Sequence, residues 1–169
     1  EALGRDMLKE IGWDTAGKNG DNAMCGLIAG IGKVSLATLD KAVASLTHRG
    51  PESSDTWISE NKSMFLGHTR LSIIGLDNGA QPISNSDGNV HIVVNGEFYG
   101  YREIRYRLLA AGAVFKTKSD SEIALHLYLH YGLQALKELR GEFSIVIADE
   151  RQNCLIAIRE RFGIKPLFY

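Results

Sequence analysis

The chain has 169 residues, of which 44% are hydrophobic and 23% charged, a composition typical of a soluble globular protein with a sizeable core. Nineteen basic residues against twenty acidic ones leave a formal net charge of −1, and no run of lysine and arginine occurs, so binding to nucleic acid or to an anionic membrane has no electrostatic support. No apolar stretch reaches the roughly 18 residues of a membrane span, and the two cysteines indicate a reducing, cytoplasmic compartment rather than a disulfide scaffold.

The first 24 residues differ in pattern from the rest of the chain. Three apolar residues stand there at helical spacing: Leu3, Met7 and Ile11. A polar, glycine-interrupted linker follows, and the apolar run over 24–31 then predicts a buried strand. We therefore predict a boundary between Ala23 and Cys25, with a leader over residues 1–24 and one domain over residues 25–169.

Periodicity and turn signals predict the elements of that domain in chain order. They are a helix that ends near Arg49, strands over 64–74 and 91–94, helices over 101–111 and 119–131, a short helix over 134–139, and a hairpin of strands over 143–149 and 154–159. Asn95-Gly96 is predicted to break the second strand as a turn, and Ser119 with Glu122 fits a capping box. Because helices come in groups between runs of strands, the order favours an α+β fold with largely antiparallel sheets.

Two kinds of site are rejected on sequence grounds. His126 and His130 are four residues apart on a predicted helix, but Leu127 stands where a zinc hydrolase has its general-base glutamate, and no third ligand is suggested by spacing. Three glycines after the first predicted strand lack both the spacing of a dinucleotide loop and the Lys-Ser/Thr ending of a P-loop. We therefore predict no metal site and no nucleotide site in these segments.

Cys25 is the candidate nucleophile. A thiol at neutral pH needs a base beside it, and no histidine is near Cys25 in sequence, although the fold could bring one close. If the chain began at Cys25, its own α-amine, with an ordinary pKa of about 7.7–8.0, could accept the thiol proton. On these residues alone, a catalytic thiol and a buried core thiol are equally supported.

Three further positions suit acyl transfer. Asn95-Gly96 offers a side-chain amide and a backbone N–H to a developing oxyanion, although a hairpin turn explains the same pair. Arg70 lies in a strand-like apolar run, where a guanidinium is unfavourable to bury unless it meets a carboxylate of the protein or of a ligand. Asp120 stands at the start of a predicted helix, where a carboxylate is favourable even with no ligand.

Eight short segments, taken together and in order, resemble the class II glutamine amidotransferases, whose nucleophile is N-terminal, and within them the asparagine synthetases. The segments are Met24-Cys25-Gly26, His48-Arg49-Gly50-Pro51-Glu52, Gly67-His68-Thr69-Arg70-Leu71-Ser72-Ile73-Ile74, Gln81-Pro82, Val94-Asn95-Gly96-Glu97-Phe98-Tyr99, Ser119-Asp120-Ser121-Glu122, Leu139-Arg140-Gly141-Glu142-Phe143, and Arg161-Phe162-Gly163-Ile164-Lys165-Pro166-Leu167-Phe168-Tyr169. The resemblance implies a four-layer αββα sandwich of the N-terminal-nucleophile (Ntn) hydrolase type, with two largely antiparallel sheets between helical layers.

The resemblance also implies a role for each site residue. Cys25 would attack the side-chain carboxamide of L-glutamine, with its own α-amine as the general base, and Asn95 and Gly96 would hold the oxyanion. Five positions would bind the rest of glutamine: Arg70 at its α-carboxylate, Asp120 and Glu97 at its α-ammonium, and Leu71 and Ile73 along the pocket. Water would hydrolyse the γ-glutamyl thioester to glutamate after ammonia has left. No metal and no cofactor is implied for this domain.

The sequence departs from the family pattern at several points. Glu52 stands where the family usually has Asp, and Gly100 where Asn commonly follows Tyr. No Ser-Gly-Gly-x-Asp-Ser pyrophosphate loop occurs in these residues. ATP and Mg are therefore implied only for a synthetase domain outside them, which would use the ammonia to amidate aspartate or a related carboxylate. A homodimer is compatible with the resemblance.

The leader is the most consequential departure, because with it attached the nitrogen of Cys25 is an amide and cannot act as a base. The leader could be a propeptide, a misplaced start with Met24 as the true initiator, or the tail of an upstream fused domain. Its helix-then-linker pattern favours the second and third, and a fusion would suit an amidotransferase of a specialised-metabolite pathway. The rival hypothesis is a non-catalytic glutamine-binding or docking domain whose terminus is never freed.

Overall fold

The computed structural model describes residues 24–71 and 79–169. Its elements are β1 (Gly26–Ile31), α1 (Leu36–Ala44), β2 (Ser53–Ile58), β3 (Met64–Arg70), β4 (Ile83–Ser84), β5 (Val90–Phe98), α2 (Tyr101–Ala110), α3 (Glu122–Tyr131), a 3₁₀ helix (Leu133–Glu138), β6 (Gly141–Asp149) and β7 (Cys154–Arg159). The predicted leader helix and linker, and the last residues of the strand predicted over 64–74, lie outside the described residues.

The strands form two antiparallel sheets. The first sheet has the order β1-β3-β2 and the second has the order β4-β5-β6-β7. In the first sheet Gly26 lies opposite Thr69, so the start of β1 meets the end of β3. In the second sheet Asn95 lies opposite Ser144 and Gly96 opposite Phe143, so the end of β5 meets the start of β6.

Alternation of side chains along the strands explains how these sheets pack. Ile92 and Val94 of β5 face α3 in the larger apolar core, whereas Val93 faces the first sheet and packs with Met64 and Leu66 of β3. Helix α1 covers the outer face of the first sheet, and α2 and α3 cover that of the second. The predicted α+β sandwich with antiparallel sheets between helical layers is confirmed. None of the helices in the described ranges is long and apolar enough to cross a bilayer.

Helix α1 ends earlier than its apolar spacing predicts. Ser35 caps its start by accepting the N–H of Thr38 at 3.1 Å, and the helix ends at Ala44 rather than near Arg49. The chain then continues in tight turns, in which Leu46 N–H donates to Val43 O at 2.9 Å. These turns carry the helical spacing of apolar residues beyond the end of the helix itself.

The predicted break of β5 at Asn95-Gly96 is wrong, because the strand runs on to Phe98. Gly96 has a φ of +137°, which favours glycine, and a Cβ at this position would lie 1.8 Å from the carbonyl oxygen of Glu142. The missing side chain thus lets β6 approach β5 closely, and the pair Asn95-Gly96 is part of a strand rather than a hairpin turn.

The predicted capping box is also wrong. Helix α3 begins at Glu122, with Ser121 as its N-cap and with no capping bond from a side chain. The Glu122 carboxylate instead accepts the backbone N–H groups of Lys116 and Thr117, each at 2.7 Å. Ser119 Oγ accepts the N–H of Ser121 at 3.2 Å. Glu122 therefore fixes the loop ahead of the helix, which leaves the segment 119–121 outside the first helical turn.

Candidate active site

A cavity lies where β1 begins and β3 and β5 end, and it brings together residues that are far apart in sequence. Its lining residues are Met24, Cys25, Arg70, Leu71, Gly79, Gln81, Val94, Asn95, Gly96, Glu97, Ser119, Asp120, Ser121 and Lys165. Seven of the eight predicted site residues are in that set: Cys25, Arg70, Leu71, Asn95, Gly96, Glu97 and Asp120. The eighth, Ile73, lies outside the described residues.

The thiol of Cys25 faces the backbone at the end of β3. Leu71 N–H lies 3.4 Å from Cys25 Sγ, and the thiol in turn lies 3.5 Å from Leu71 O. Burial raises the pKa of the Cys25 thiol above its usual value, although the Leu71 backbone and the positive charge of Arg70 act in the opposite direction. The thiol is therefore protonated at neutral pH, and nucleophilic attack by this sulfur requires a base.

No histidine supplies that base from the described lining of the cavity. All five histidines of the chain lie in the described residues, and none of them lines the cavity. His68, in β3, is buried, and its Nε2 donates to Val94 O at 3.1 Å. Burial lowers the pKa of His68 to about 4, so its imidazole is neutral at pH 7. Its Nε2 is already engaged in the hydrogen bond to β5. The question that the sequence left open, whether the fold brings a histidine to Cys25, is thereby answered.

The segment from His48 to Glu52 holds Cys25 and Arg70 in place. Arg49 Nε donates to the carbonyl oxygen of Cys25 at 3.4 Å. Glu52 N–H donates to the carbonyl oxygen of Arg70 at 3.2 Å, beside a parallel bridge between Pro51 and Arg70. This segment therefore positions the end of β3 through backbone contacts.

Asp120 carries the buried carboxylate of the cavity. It is 5% exposed, and its Oδ2 accepts the N–H of Phe98 at 2.9 Å. Burial raises the pKa of Asp120, the hydrogen bond from Phe98 lowers it, and the nearby charge of Glu97 raises it further. A carboxylate in this environment is stabilised by a cationic ligand, since such a ligand would favour its ionised form.

The charges of the lining match a small zwitterion. Arg70 supplies a cation, and Asp120 and Glu97 supply carboxylates around the same cavity. In the described residues, no group of three or more His, Cys, Asp or Glu could hold a metal ion. His126, one of the two histidines considered for a metal, contacts Glu122 Oε1 at 3.4 Å instead.

Gln81 and Lys165 are among the lining residues for which the sequence indicated no role. Gln81 reaches the backbone of Val94 with both atoms of its carboxamide. Lys165 Nζ lies 3.3 Å from Glu142 Oε2 and 3.0 Å from Met24 Sδ. The only sequence signal for these two residues was that each stands before a proline in a segment that resembles the family. That signal does not indicate which atoms their side chains contact.

The comparisons with known proteins agree with the geometry of this cavity. Residues 24–169 match the family model described as a glutamine amidotransferase domain. The chain is 43% identical over 144 residues to amidase chry2 of Gibberella zeae, covering 85% of this chain and 21% of that protein. It is 40% identical over 153 residues to asparagine synthetase [glutamine-hydrolyzing] 1 of Bacillus subtilis, covering 86% of this chain and 24% of that protein. The chain thus belongs to the class II glutamine amidotransferase domains of the asparagine synthetase family.

A solved structure shows the same fold. The B. subtilis glutamine phosphoribosylpyrophosphate amidotransferase, complexed with ADP and GMP, superposes with a TM-score of 0.59 at 22% identity, covering 75% of this chain and 35% of that chain. At this identity the likeness concerns the fold alone. The chain spans about a fifth to a quarter of the length of the two relatives named above, 21% and 24% respectively.

Proposed function

We propose that this domain hydrolyses glutamine to glutamate and ammonia, with Cys25 as the nucleophile. The observation that carries the proposal is the cavity itself, in which a thiol, a guanidinium and two carboxylates converge from separate elements. Arg70 would bind the α-carboxylate of glutamine, and Asp120 and Glu97 would bind its α-ammonium. Leu71 and Ile73 would border the same pocket. The side-chain amide of glutamine would then point toward Cys25.

The proposed reaction begins when the α-amine of a freed Cys25 takes the thiol proton. The sulfur forms a bond to the amide carbon of glutamine, and the carbonyl electron pair moves to the oxygen, where Asn95 and Gly96 donate hydrogen bonds. The α-ammonium returns its proton to the leaving nitrogen, the carbon–nitrogen bond breaks, and ammonia departs. Water then attacks the γ-glutamyl thioester, the same amine takes its proton, and the thiol is restored as glutamate leaves.

A free α-amine is central to the proposal, since Cys25 has no histidine beside it in the described lining and its thiol has a raised pKa. We propose that the residues before Cys25 must be absent from the active protein. An α-amine with an ordinary pKa of about 7.7–8.0 is unprotonated in a substantial minority of molecules just above neutral pH, which suits a base that must both accept and return a proton.

We further propose that the ammonia serves an ATP-dependent synthetase domain that amidates aspartate or a related carboxylate. Relatives from B. subtilis and Asparagus officinalis named as glutamine-hydrolysing asparagine synthetases, and one from Dictyostelium discoideum named as a probable one, support this acceptor chemistry. A second candidate is amidation of a specialised metabolite, which is favoured by two relatives named as amidases, chry2 and chyE, at 43% and 42% identity. We also propose that the protein forms a homodimer.

The test compares the chain with its leader and the protein whose first residue is Cys25, each verified by intact mass. We expect glutamate and ammonia from glutamine only with the free terminus, and a loss of at least about 10³-fold in Cys25→Ala. Cys154→Ala is the matched control, because Cys154 is the other free cysteine and lies outside the cavity lining. A freed Cys25 terminus that gives no turnover would contradict the proposal, whereas a leader that stays attached, with glutamine bound but not hydrolysed, would support the rival hypothesis of a glutamine-binding or docking domain.

A further inference from the structure

On the β4 side of β5, the backbone N–H and C=O of Val94, the residue just before Asn95, bind a side chain rather than a strand. Val94 N–H donates to Gln81 Oε1 at 2.6 Å, and Gln81 Nε2 donates to Val94 O at 3.1 Å. Gln81 is 7% exposed, so both hydrogen bonds are shielded from water. A carboxamide offers one acceptor and one donor at the spacing of a peptide group, which is why it can replace one here.

The position of Gln81 follows from the register of the edge strand. Strand β4 has two residues, and its pairing with β5 places Ile83 opposite Ile92. Extension of the same antiparallel register by two residues sets Gln81 opposite Val94. Strand β4 stops before that point, so the Gln81 side chain makes the pair of hydrogen bonds that a longer edge strand would have made with its backbone.

A second donor fixes the Val94 carbonyl group. His68 Nε2 donates to Val94 O at 3.1 Å, so this oxygen accepts hydrogen bonds from both His68 and Gln81. Because the peptide bond is planar, an anchored Val94 carbonyl also fixes the direction of the Asn95 N–H and the position of the Asn95 Cα. The Asn95 side chain, which is 4% exposed, starts from that fixed point.

We propose that Gln81 is a positioning residue for the oxyanion site, acting through the Val94 peptide on Asn95 and Gly96. The inference rests on the proposed glutamine hydrolysis. Donors to an oxyanion must lie about 2.7–3.1 Å from the position that the oxygen reaches in the transition state, and a displacement of about 1 Å can lower the rate by about 10²-fold. The hydrogen bonds from Gln81 to Val94 hold this geometry where β4 no longer extends beside β5, while β6 pairs with the other side of β5.

The test replaces Gln81 with methionine, whose side chain has a similar length but lacks the carboxamide oxygen and N–H group that bind Val94. The protein used has Cys25 verified by mass as its first residue. We expect kcat for glutamine hydrolysis to fall at least about tenfold in Gln81→Met. The affinity for the γ-aldehyde analogue of glutamine, which forms a tetrahedral thiol adduct, should fall by a similar factor. The affinity for glutamate, which forms no such adduct, should stay within about twofold, because Arg70 and Asp120 are untouched.

The controls distinguish positioning of the oxyanion site from direct substrate binding and from general support of the pocket. Gln134→Met changes an exposed glutamine outside this cavity and should leave all three quantities unchanged. Equal losses of glutamate and aldehyde affinity in Gln81→Met would overturn the proposal, since Gln81 would then contact substrate or support the whole pocket. Unchanged kcat and aldehyde affinity would overturn it as well.

Gln81→Asn provides a second variant in case the methionine variant does not fold. Its carboxamide is one methylene shorter and cannot reach both the N–H and the carbonyl oxygen of Val94 at hydrogen-bond distance, so we expect a fall in kcat with unchanged glutamate affinity. Retention of the wild-type kcat in this variant would overturn the proposal. Absence of hydrolysis in the wild-type protein with a free Cys25 terminus would instead overturn the proposed function, and this inference with it.

Discussion

Burial shifts the pKa values of Cys25, in the cavity, and of His68, in β3, in opposite directions and leaves both side chains neutral at pH 7. It raises the pKa of the Cys25 thiol and lowers the pKa of His68 to about 4. In each case the charged form is the one that a poorly solvated environment disfavours. At pH 7 the cavity therefore contains a thiol rather than a thiolate, and its neighbouring strand contains an imidazole that donates a hydrogen bond but carries no charge.

The neutral state of His68 predicts a dependence of stability on pH. Burial lowers the pKa of His68 to about 4, whereas an unfolded chain has the ordinary value of about 6.5. The unfolded state therefore binds more protons between these values, and the free energy of unfolding should decrease by about 3 kcal/mol as the pH falls from 6.5 to 4. His68→Gln should remove this decrease, which urea unfolding at pH 7, 5.5 and 4 would measure.

His91 provides the control for this titration. Burial also lowers the pKa of His91, partly offset by Glu150, so a residual loss of stability in the same direction should persist in His68→Gln. The double variant with His91→Gln should reduce the slope further. A slope in His68→Gln equal to that of the wild type would show that His68 is charged in the folded protein, in conflict with its burial.

At the scale of elements, sequence patterns found the helices and five of the seven strands, but they missed β2 and β4 and misassigned the ends of α1 and β5 and the start of α3. Asn-Gly is the strongest short signal for a hairpin turn, yet Asn95 and Gly96 lie within β5 because β6 occupies the space that a side chain at Gly96 would need. Glu122 follows a serine at capping-box spacing, yet its carboxylate binds the backbone of the loop ahead of α3. The first of these two errors depends on Glu142, which is distant in sequence, and the second on loop backbone five and six residues before Glu122, which the spacing rule for a capping box does not consider.

Gly50, in the segment that follows α1, lies directly against the end of β3, so a substitution there should change the position of Arg70. A Cβ on Gly50 would lie 2.6 Å from the backbone N and C of Arg70 and from the carbonyl carbon of Thr69. Gly50→Ala should therefore displace the end of β3 and with it the Arg70 guanidinium. We expect the KM for glutamine to rise about tenfold, because an ion pair with the α-carboxylate would be misaligned, and stability to fall by about 1–3 kcal/mol. Steady-state kinetics and urea unfolding would measure the two effects.

Gly67→Ala is the matched control for that variant. Its Cβ would lie 2.3 Å from Val43 Cγ2 and 2.8 Å from Ile28 Cγ2, side chains that do not line the cavity. The same substitution should therefore lower stability while leaving the KM for glutamine unchanged. Equal effects of both variants on KM would mean that the response reflects general destabilisation rather than the position of Arg70.

At the scale of the whole molecule, the sandwich explains why the site residues converge. The antiparallel registers bring the start of β1 to the end of β3, and the end of β5 to the start of β6. Cys25, Arg70 and Asn95 are thereby collected at one cavity. From the residues alone, a structural explanation was equally good for Cys25 and better for Asn95, and Arg70 required a carboxylate that either the protein or a ligand could supply. Only their resemblance as a set to one family, and then the fold, brought them together.

The last segment of the chain also reaches this cavity, and one buried carboxylate holds it there. Glu160 accepts the backbone N–H groups of Phe162 at 2.6 Å and of Gly163 at 3.0 Å, and also those of Ile164 and Lys165. Lys165 then reaches Met24, although 141 positions separate the two residues in the sequence. A carboxylate that collects four N–H groups replaces the regular secondary structure that this segment lacks.

Loss of this carboxylate should therefore release the segment from the cavity. In Glu160→Gln the neutral amide accepts fewer and weaker hydrogen bonds, so amide hydrogen exchange of residues 162–165 should accelerate at least about tenfold, while that of β6 stays unchanged. Glutamine hydrolysis should also decrease, because Lys165 lines the cavity. Exchange followed by mass spectrometry, together with a glutaminase assay, would measure both effects.

Glu138→Gln is the control, because Glu138 is an exposed carboxylate that pairs with Arg107 and lies outside the cavity lining. It should alter neither exchange at residues 162–165 nor hydrolysis. Unchanged exchange in Glu160→Gln would mean that the apolar contacts of the segment, such as that of Leu167 with the core between the sheets, suffice to hold it. Faster exchange with unchanged hydrolysis would show that Lys165 borders the cavity but contributes nothing to turnover.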